Sequence, residues 1–303
     1  MLRLYPFRAL ARAFAFSALL LCASVSLAQS VERIDLWPDL APGETVREPD
    51  VVAEGNPDKP AQRVTTPYLL VSKPEKQTKD VAILIFPGGG FNVCFYHNEG
   101  EDIAKYWNER GYLTAVLVYR VPRPDNAPIY SRALQDAQRA VRIIRANAEK
   151  YGVSPERIGA QGFSAGSCLC LLTAVNSETV TYQPLDDLDK LPANLAFAIP
   201  VYPAYVLDDG ARDPNANKGL DAAILPDFHF DDHTPPMCLI HGDADIYSPL
   251  GSVEVYKRLR KMNIPAEIHI FSGAPHGFMF WDDKVNANTW LDRCSAWLET
   301  IGF

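Results

Sequence analysis

Apolar positions in this chain come in two alternating rhythms. Residues 81–86, Val-Ala-Ile-Leu-Ile-Phe, form an almost unbroken apolar run of strand length, the pattern of a strand buried on both faces. Similar runs at 68–71, 113–119, 157–162, 195–202, 237–241 and 266–271 predict further strands. Between them the period changes. Over 132–150, Leu134, Ala137, Val141, Ile144 and Ala148 recur at steps of three and four, which marks one face of a helix. Segments 100–110, 164–175, 250–262 and 286–301 also read as helices. Strands alternating with helices build βαβ units. The predicted fold is therefore α/β, a mostly parallel central sheet with helices on both faces. Two segments break the rhythm. Residues 29–64 are rich in Pro, Gly, Asp and Glu and predict an irregular arm ahead of a single domain at 65–303. Residues 203–236 are long and polar and are expected to overhang one end of the sheet.

Composition removes several function classes. With 48% hydrophobic and 22% charged residues, the chain is globular rather than disordered. Twenty-nine Lys and Arg against 37 Asp and Glu give a net charge of −8, which argues against a binder of nucleic-acid backbones. No apolar run reaches the roughly 18 residues that a membrane-spanning helix needs.

The N-terminus reads as a secretory leader, residues 1–28. Arg3, Arg8 and Arg12 precede a short uncharged apolar stretch, and Ser26-Leu27-Ala28 is a small-x-small site with cleavage expected before Gln29. The expected destination is the periplasm or the extracellular space. An uncleaved anchor is the alternative; a lipoprotein at Cys22 is disfavoured by Leu21, which stands where a small residue is needed. Cleavage removes three arginines and takes the net charge from −8 to −11. It also leaves five cysteines, Cys94, Cys168, Cys170, Cys238 and Cys294. A chain of this length builds a core without disulfides. Cys168, Cys170 and Cys238 lie inside apolar runs, where a buried thiol acts as a small hydrophobe.

The chemistry concentrates where predicted strands end. Gly162-Phe163-Ser164-Ala165-Gly166 fits G-x-S-x-G between a strand and a helix. That turn is sharp, and side chains at its glycines would collide with neighbouring strands. Its product is a serine hydroxyl at the sheet end, over a helix N-terminus that favours negative charge. Such a hydroxyl needs a base. Among the six histidines, His276 sits in a loop directly after the strand 266–271, at the same edge as Ser164. His269 falls inside that strand, and His241 ends another strand, where it supports the following loop. The base in turn needs a carboxylate. Asp243 and Asp245 both follow the strand 237–241, and Asp245, further into the loop, is the better placed. The order Ser164, Asp245, His276 is that of an α/β-hydrolase triad.

Pro87-Gly88-Gly89-Gly90-Phe91 follows the strand 81–86. Bare backbone there lets the Gly89 and Gly90 N–H groups join that of Ala165 as an oxyanion hole. No G-K-[ST] or G-x-G-x-x-G accompanies these glycines, so a phosphate loop is disfavoured. Phe91 and Trp281 are candidate substrate-binding residues; Trp281 with Phe280 would form an apolar wall, with core packing as the equal alternative. His229-Phe230-Asp231-Asp232-His233 reads as a solvated loop rather than a metal site. Asp136 and Arg139 read as a structural ion pair along one helix. Glu99 and Glu101 either cap a helix or orient the glycine loop, and capping is preferred.

These motifs resemble those of α/β-hydrolase esterases and lipases. Pro87-Gly88-Gly89-Gly90-Phe91, His97-Asn98-Glu99-Gly100, Tyr119-Arg120-Val121-Pro122, the stretch from Leu134 to Ala140 and Pro275-His276-Gly277-Phe278 resemble the acetylxylan-esterase-like, dienelactone-hydrolase-like branch. The likeness runs from about residue 65 to the C-terminus. It departs at Asn98, inserted in the usual His-Glu-Gly, and at Ser167, where the usual residue is Gly. The resemblance implies hydrolysis of short-chain carboxylic esters, often acetyl groups on plant polysaccharide, without metal or organic cofactor. No large cap domain is expected, and its absence predicts an open cleft that fits a bulky carbohydrate ester better than a long lipid; the expected partner is a small-molecule or polysaccharide ester substrate. Alternatives on the same triad are a peptidase or lactone hydrolase; a silent binding module is a third.

Overall fold

The computed structural model describes residues 31–52, 56, 59–208, 222–280 and 286–303. The expected leader, part of the 203–236 loop and Trp281 lie outside the described residues.

Eight strands form one sheet in the order β1-β2-β4-β3-β5-β6-β7-β8. They are β1 Val31–Asp35, β2 Tyr68–Ser72, β3 Ala82–Phe86, β4 Leu113–Val118, β5 Ile158–Phe163, β6 Ala198–Val201, β7 Met237–Gly242 and β8 Ala266–Phe271. The run from β4 through β8 is parallel, while β2 pairs antiparallel with both β4 and β1. Every residue of β3 to β7 is buried. That explains their continuous apolar runs: both faces are covered. Six helices do the covering: α1 Asp102–Glu109, α2 Ser131–Ala146, α3 Ala148–Tyr151, α4 Ala165–Val175, α5 Leu250–Lys261 and α6 Trp290–Thr300.

The topology decides where a site can form. From β3 the chain runs through α1 to β4 on one side, then through α2 to β5 on the other. Strand order reverses between β3 and β5, and ligands bind beyond the carboxyl ends of strands at such a switch point. The glycine loop leaves β3 there, and Ser164 leaves β5.

The arm differs from its expected irregular form, since it opens with the strand β1. Val31-Glu32-Arg33-Ile34-Asp35 is mostly exposed, so an edge position leaves almost no apolar alternation to read. Arg33 instead lays its guanidinium 3.7 Å from the centre of the Tyr68 ring. Further along, Trp37 is buried and donates to Asp136 Oδ1 at 2.8 Å. The expected 132–150 helix breaks at Asn147 into α2 and α3, and the last helix begins with a tight turn at Asn286–Thr289 before α6.

Asp136 and Arg139 are structural but do not pair with each other. Asp136 accepts from Arg120 Nε at 3.0 Å and from the Arg120 N–H at 2.9 Å. Arg139 reaches Asp186 and Asp189 at 2.5 and 2.9 Å. They stand three apart on α2, but each pairs with an oppositely charged group from elsewhere in the chain. All five described cysteines are buried and free, and burial pushes the Cys170 thiol up to about 12.

Candidate active site

Ser164 sits between β5 and α4 with φ 53° and ψ −117°. An L-residue adopts that backbone only at a cost of about 1–3 kcal/mol, repaid by surrounding structure. Gly166 permits the turn: a Cβ there would lie 2.0 Å from the Phe86 carbonyl oxygen. Of the five non-glycine residues with positive φ among the described residues, four line this region: Phe91, Ser164, Tyr202 and Tyr205. Strain of this kind gathers at functional sites.

The three expected residues meet. Ser164 Oγ lies 2.7 Å from His276 Nε2. His276 Nδ1 lies 3.0 and 2.9 Å from the two Asp245 oxygens. Asp243 is exposed, and its own N–H bonds back to Phe271; it shapes the loop. Asp245 is fully covered and also accepts from the Tyr247 N–H at 2.8 Å. Burial pushes its carboxyl up, but hydrogen bonds from His241 and His276 outweigh that and hold it below the usual range. His241 is buried between Ser252 Oγ at 2.8 Å and the Tyr247 carbonyl at 3.2 Å, supporting this loop as expected. His269 bonds Glu267 away from the site. Tyr202 and Tyr247 hold the His276 ring edge-on at 5.1 and 4.9 Å between centroids.

On the other side of Ser164 is the glycine loop. Gly89 has φ +129°, and a Cβ on it would lie 2.1 Å from the Val93 carbonyl oxygen. Among the described residues, the N–H groups of Gly89, Gly90 and Ala165 donate to no partner, unlike that of Gly88, which bonds Glu99 at 2.6 Å. The Tyr119 hydroxyl fixes the loop base by donating to the Pro87 carbonyl at 2.7 Å.

Two sequence-based readings need correction here. Glu99 does not cap α1; its buried carboxyl holds the glycine loop and accepts from the Tyr202 hydroxyl at 2.9 Å. Phe91 is 1% exposed and packs against Tyr119 and Tyr205, so it supports the loop from beneath instead of facing substrate. The 229–233 segment is a loop organised by Asp231, whose side chain accepts from the His233 N–H. It is absent from the metal-competent clusters of the described residues, where Cys238, Glu267 and His269 form the one such group.

Sequence reasoning missed the wall beside the triad. A cavity of about 530 Å³ is lined by Ile129, Tyr130, Tyr205, Leu207, Asp208 and Phe228 among others. Tyr205 connects it to the triad, its hydroxyl 3.4 Å from that of Tyr247. The contributing residues come from two irregular segments, which carry no periodic signal.

The chain is similar to known proteins in both fold and sequence. A solved acetyl ester-xyloside bifunctional hydrolase from Caldicellulosiruptor lactoaceticus superposes with a TM-score of 0.68 at 26% identity, covering 92% of this chain and 99% of that one. The chain has the fold of the α/β-hydrolases. The family described as BD-FAE matches residues 69–198 of this chain. Esterase 2 of Thermogutta terrifontis, solved after phosphorylation by paraoxon, superposes at a TM-score of 0.64 with 27% identity, covering 78% and 90% of the two chains. Among curated relatives, endo-1,4-beta-xylanase B of Butyrivibrio fibrisolvens is 28% identical over 72% of this chain, and an acetylxylan esterase of Xylanibacter ruminicola 24% over 73%. The chain spans only 35% and 45% of those two relatives' own lengths.

Proposed function

We propose that this hydrolase is a serine carboxylesterase that removes short acyl groups, acetyl above all, from carbohydrate esters. The observation that carries the reading is the hydrogen-bonded chain Ser164–His276–Asp245 beside unpartnered loop N–H groups. Ser164 Oγ attacks the ester carbonyl while His276 Nε2 takes its proton. Asp245 fixes the tautomer and stabilises the imidazolium. The Gly89, Gly90 and Ala165 N–H groups receive the oxyanion. Collapse expels the alcohol, protonated by His276, and leaves an acyl-serine that water then hydrolyses.

The substrate class rests on relatives and cavity together. The acetylxylan esterase and the acetyl ester-xyloside hydrolase supply the chemistry, and the cavity supplies space. Its tyrosines and the carboxylates of Asp208 and Asp227 suit a polyhydroxylated sugar better than an alkyl chain. The arginine-led apolar stretch at 1–28 supports export, and no helix among the described residues is long and apolar enough to cross a membrane.

The test is hydrolysis of p-nitrophenyl acetate and butyrate by wild type and Ser164→Ala, followed by acetate release from acetylated xylan. We expect acetate turnover that Ser164→Ala lowers by about 10⁶. Folded wild type inert on both esters would overturn the esterase reading in favour of a lactonase or a silent module.

A further inference from the structure

Glu99 is a buried acid that the triad chemistry leaves unused. It is 5% exposed and sits in a π-helical turn, His97–Glu101, directly ahead of α1. Burying a carboxyl is costly unless it is hydrogen-bonded, and both of its oxygens are engaged. Oε2 accepts from the Gly88 N–H at 2.6 Å, and Oε1 accepts from the Tyr202 hydroxyl at 2.9 Å.

Those two donors belong to the two halves of the site. Gly88 opens the loop whose next two N–H groups face the oxyanion position. Tyr202 packs its ring on His276, and its own backbone is pinned by a bond from its N–H to the Ile240 carbonyl. The packing around Gly88 shows how close the acid comes to the nucleophile. A Cβ placed on Gly88 would meet Glu99 Oε2 at 2.6 Å, the Phe163 carbonyl at 2.9 Å and Ser164 Cβ at 3.0 Å. The carboxyl therefore lies against the back of the nucleophile turn, between the loop that binds the oxyanion and the tyrosine that braces the base.

Leu or Met would fill the volume without desolvating a carboxyl, but would take the acceptor from the Gly88 N–H and the Tyr202 hydroxyl, and an exchange of this kind is near neutral only when every partner is replaced. What an apolar residue cannot do is fix the orientation of one peptide plane, and the Gly88 plane sets the direction of the loop that follows. The loop carbonyls of Pro87, Gly88 and Gly89 accept from the Tyr119 hydroxyl and from the N–H groups of Phe95, Asn92 and Val93, and Glu99 fixes the N–H side of the Gly88 plane.

We propose that Glu99 is a positioning residue for the reaction: through the Gly88 N–H and the Tyr202 hydroxyl it sets the oxyanion loop and the His276 ring in register with each other. It touches no substrate atom. The inference rests on the ester-hydrolase reading above.

The experiment compares Glu99→Met, which keeps volume but removes both acceptors, with Glu99→Gln, whose amide oxygen still accepts from Gly88. Burst titration with p-nitrophenyl acetate counts the competent serines, so misfolded protein does not enter kcat. We expect Glu99→Met to lower kcat by about 10²–10³, the effect of losing one oxyanion donor, with KM changed little. Affinity for a trifluoromethyl ketone analogue of the oxyanion state should fall in proportion to kcat/KM. Glu99→Gln should return kcat to within about tenfold of wild type. Should Glu99→Met fail to fold, Tyr202→Phe removes only the phenol donor and is expected to lower kcat with the same proportional loss of analogue affinity. Wild-type kcat in folded Glu99→Met, equal losses in the Met and Gln variants, or unchanged analogue affinity in a slowed variant would overturn the assignment. Wild type that turns over no ester would instead remove the function on which it rests.

Discussion

On one side of Ser164 a buried carboxyl, Asp245, meets two imidazoles; on the other a buried carboxyl, Glu99, meets a peptide N–H and a phenol. Both lie at the ends of the parallel strands and both are almost fully covered. Their surroundings drive them apart. For each, burial is the largest influence and pushes upward. At Asp245 the bonds from His241 and His276 win, and the carboxyl is held low. At Glu99 burial wins, and the carboxyl is raised. Two acids a few residues from one nucleophile thus suit different tasks: one holds a charge opposite an imidazolium, the other holds geometry.

The largest expected break in that pairing is Asp245→Asn. It keeps the shape but can impose the wrong tautomer on His276, and should lower kcat by about 10⁴ with KM nearly unchanged. Steady-state kinetics on p-nitrophenyl acetate measure it. A loss under about tenfold would mean that the Tyr202 and Tyr247 rings orient His276 without help from the carboxylate. The matching break on the other side is Gly89→Ala. Its new Cβ would press on the Val93 carbonyl oxygen at 2.1 Å, in a backbone of φ +129° that alanine rarely adopts. The loop must move, so kcat should fall about 10²–10³ while circular dichroism stays that of wild type. Unchanged kcat would place the oxyanion donors elsewhere.

The contrast also marks how far sequence reasoning reaches. The base side is legible because each residue stands at or shortly after the carboxyl end of a predicted strand: Ser164 after β5, Asp245 in the loop after β7 and His276 in the loop after β8. Chain order supports the set independently. The glycine loop was legible for the same reason. Local spacing offers Glu99 as a helix cap before a loop orienter, whereas its partners are 11 and 103 residues away and no local rule pairs them. Phe91 reads as a substrate-binding residue in the sequence because aromatic residues serve packing and binding alike. Its turn to the inside follows from φ 60°, invisible in composition. The edge strand β1 hid for a different reason: exposed edges lack the alternation that buried faces impose. Arg139 shows the limit of helix spacing, since Asp136 stands three residues away and yet its partners are Asp186 and Asp189 across a loop.

The smallest effect separates the two acids most cleanly, because it has opposite sign at each. Asp245 has a folded-state pKa below its unfolded value of about 3.9. Its contribution to stability is complete above that value and is lost as pH falls through the lower folded one. Glu99 has a folded-state pKa above its unfolded value of about 4.3. Its contribution is complete below that value and is lost as pH rises through the higher folded one. Urea unfolding of wild type, Asp245→Asn and Glu99→Gln at stepped pH between about 3 and 7 reads both. The advantage of wild type over Asp245→Asn should grow with pH across the acid end, whereas its advantage over Glu99→Gln should shrink with pH above about 4. Neither slope can exceed about 1.4 kcal/mol per pH unit, the limit for a single proton. Slopes of the same sign would mean that the two carboxyls titrate alike, and the division of labour between charge and geometry would then have to come from the hydrogen-bond partners alone.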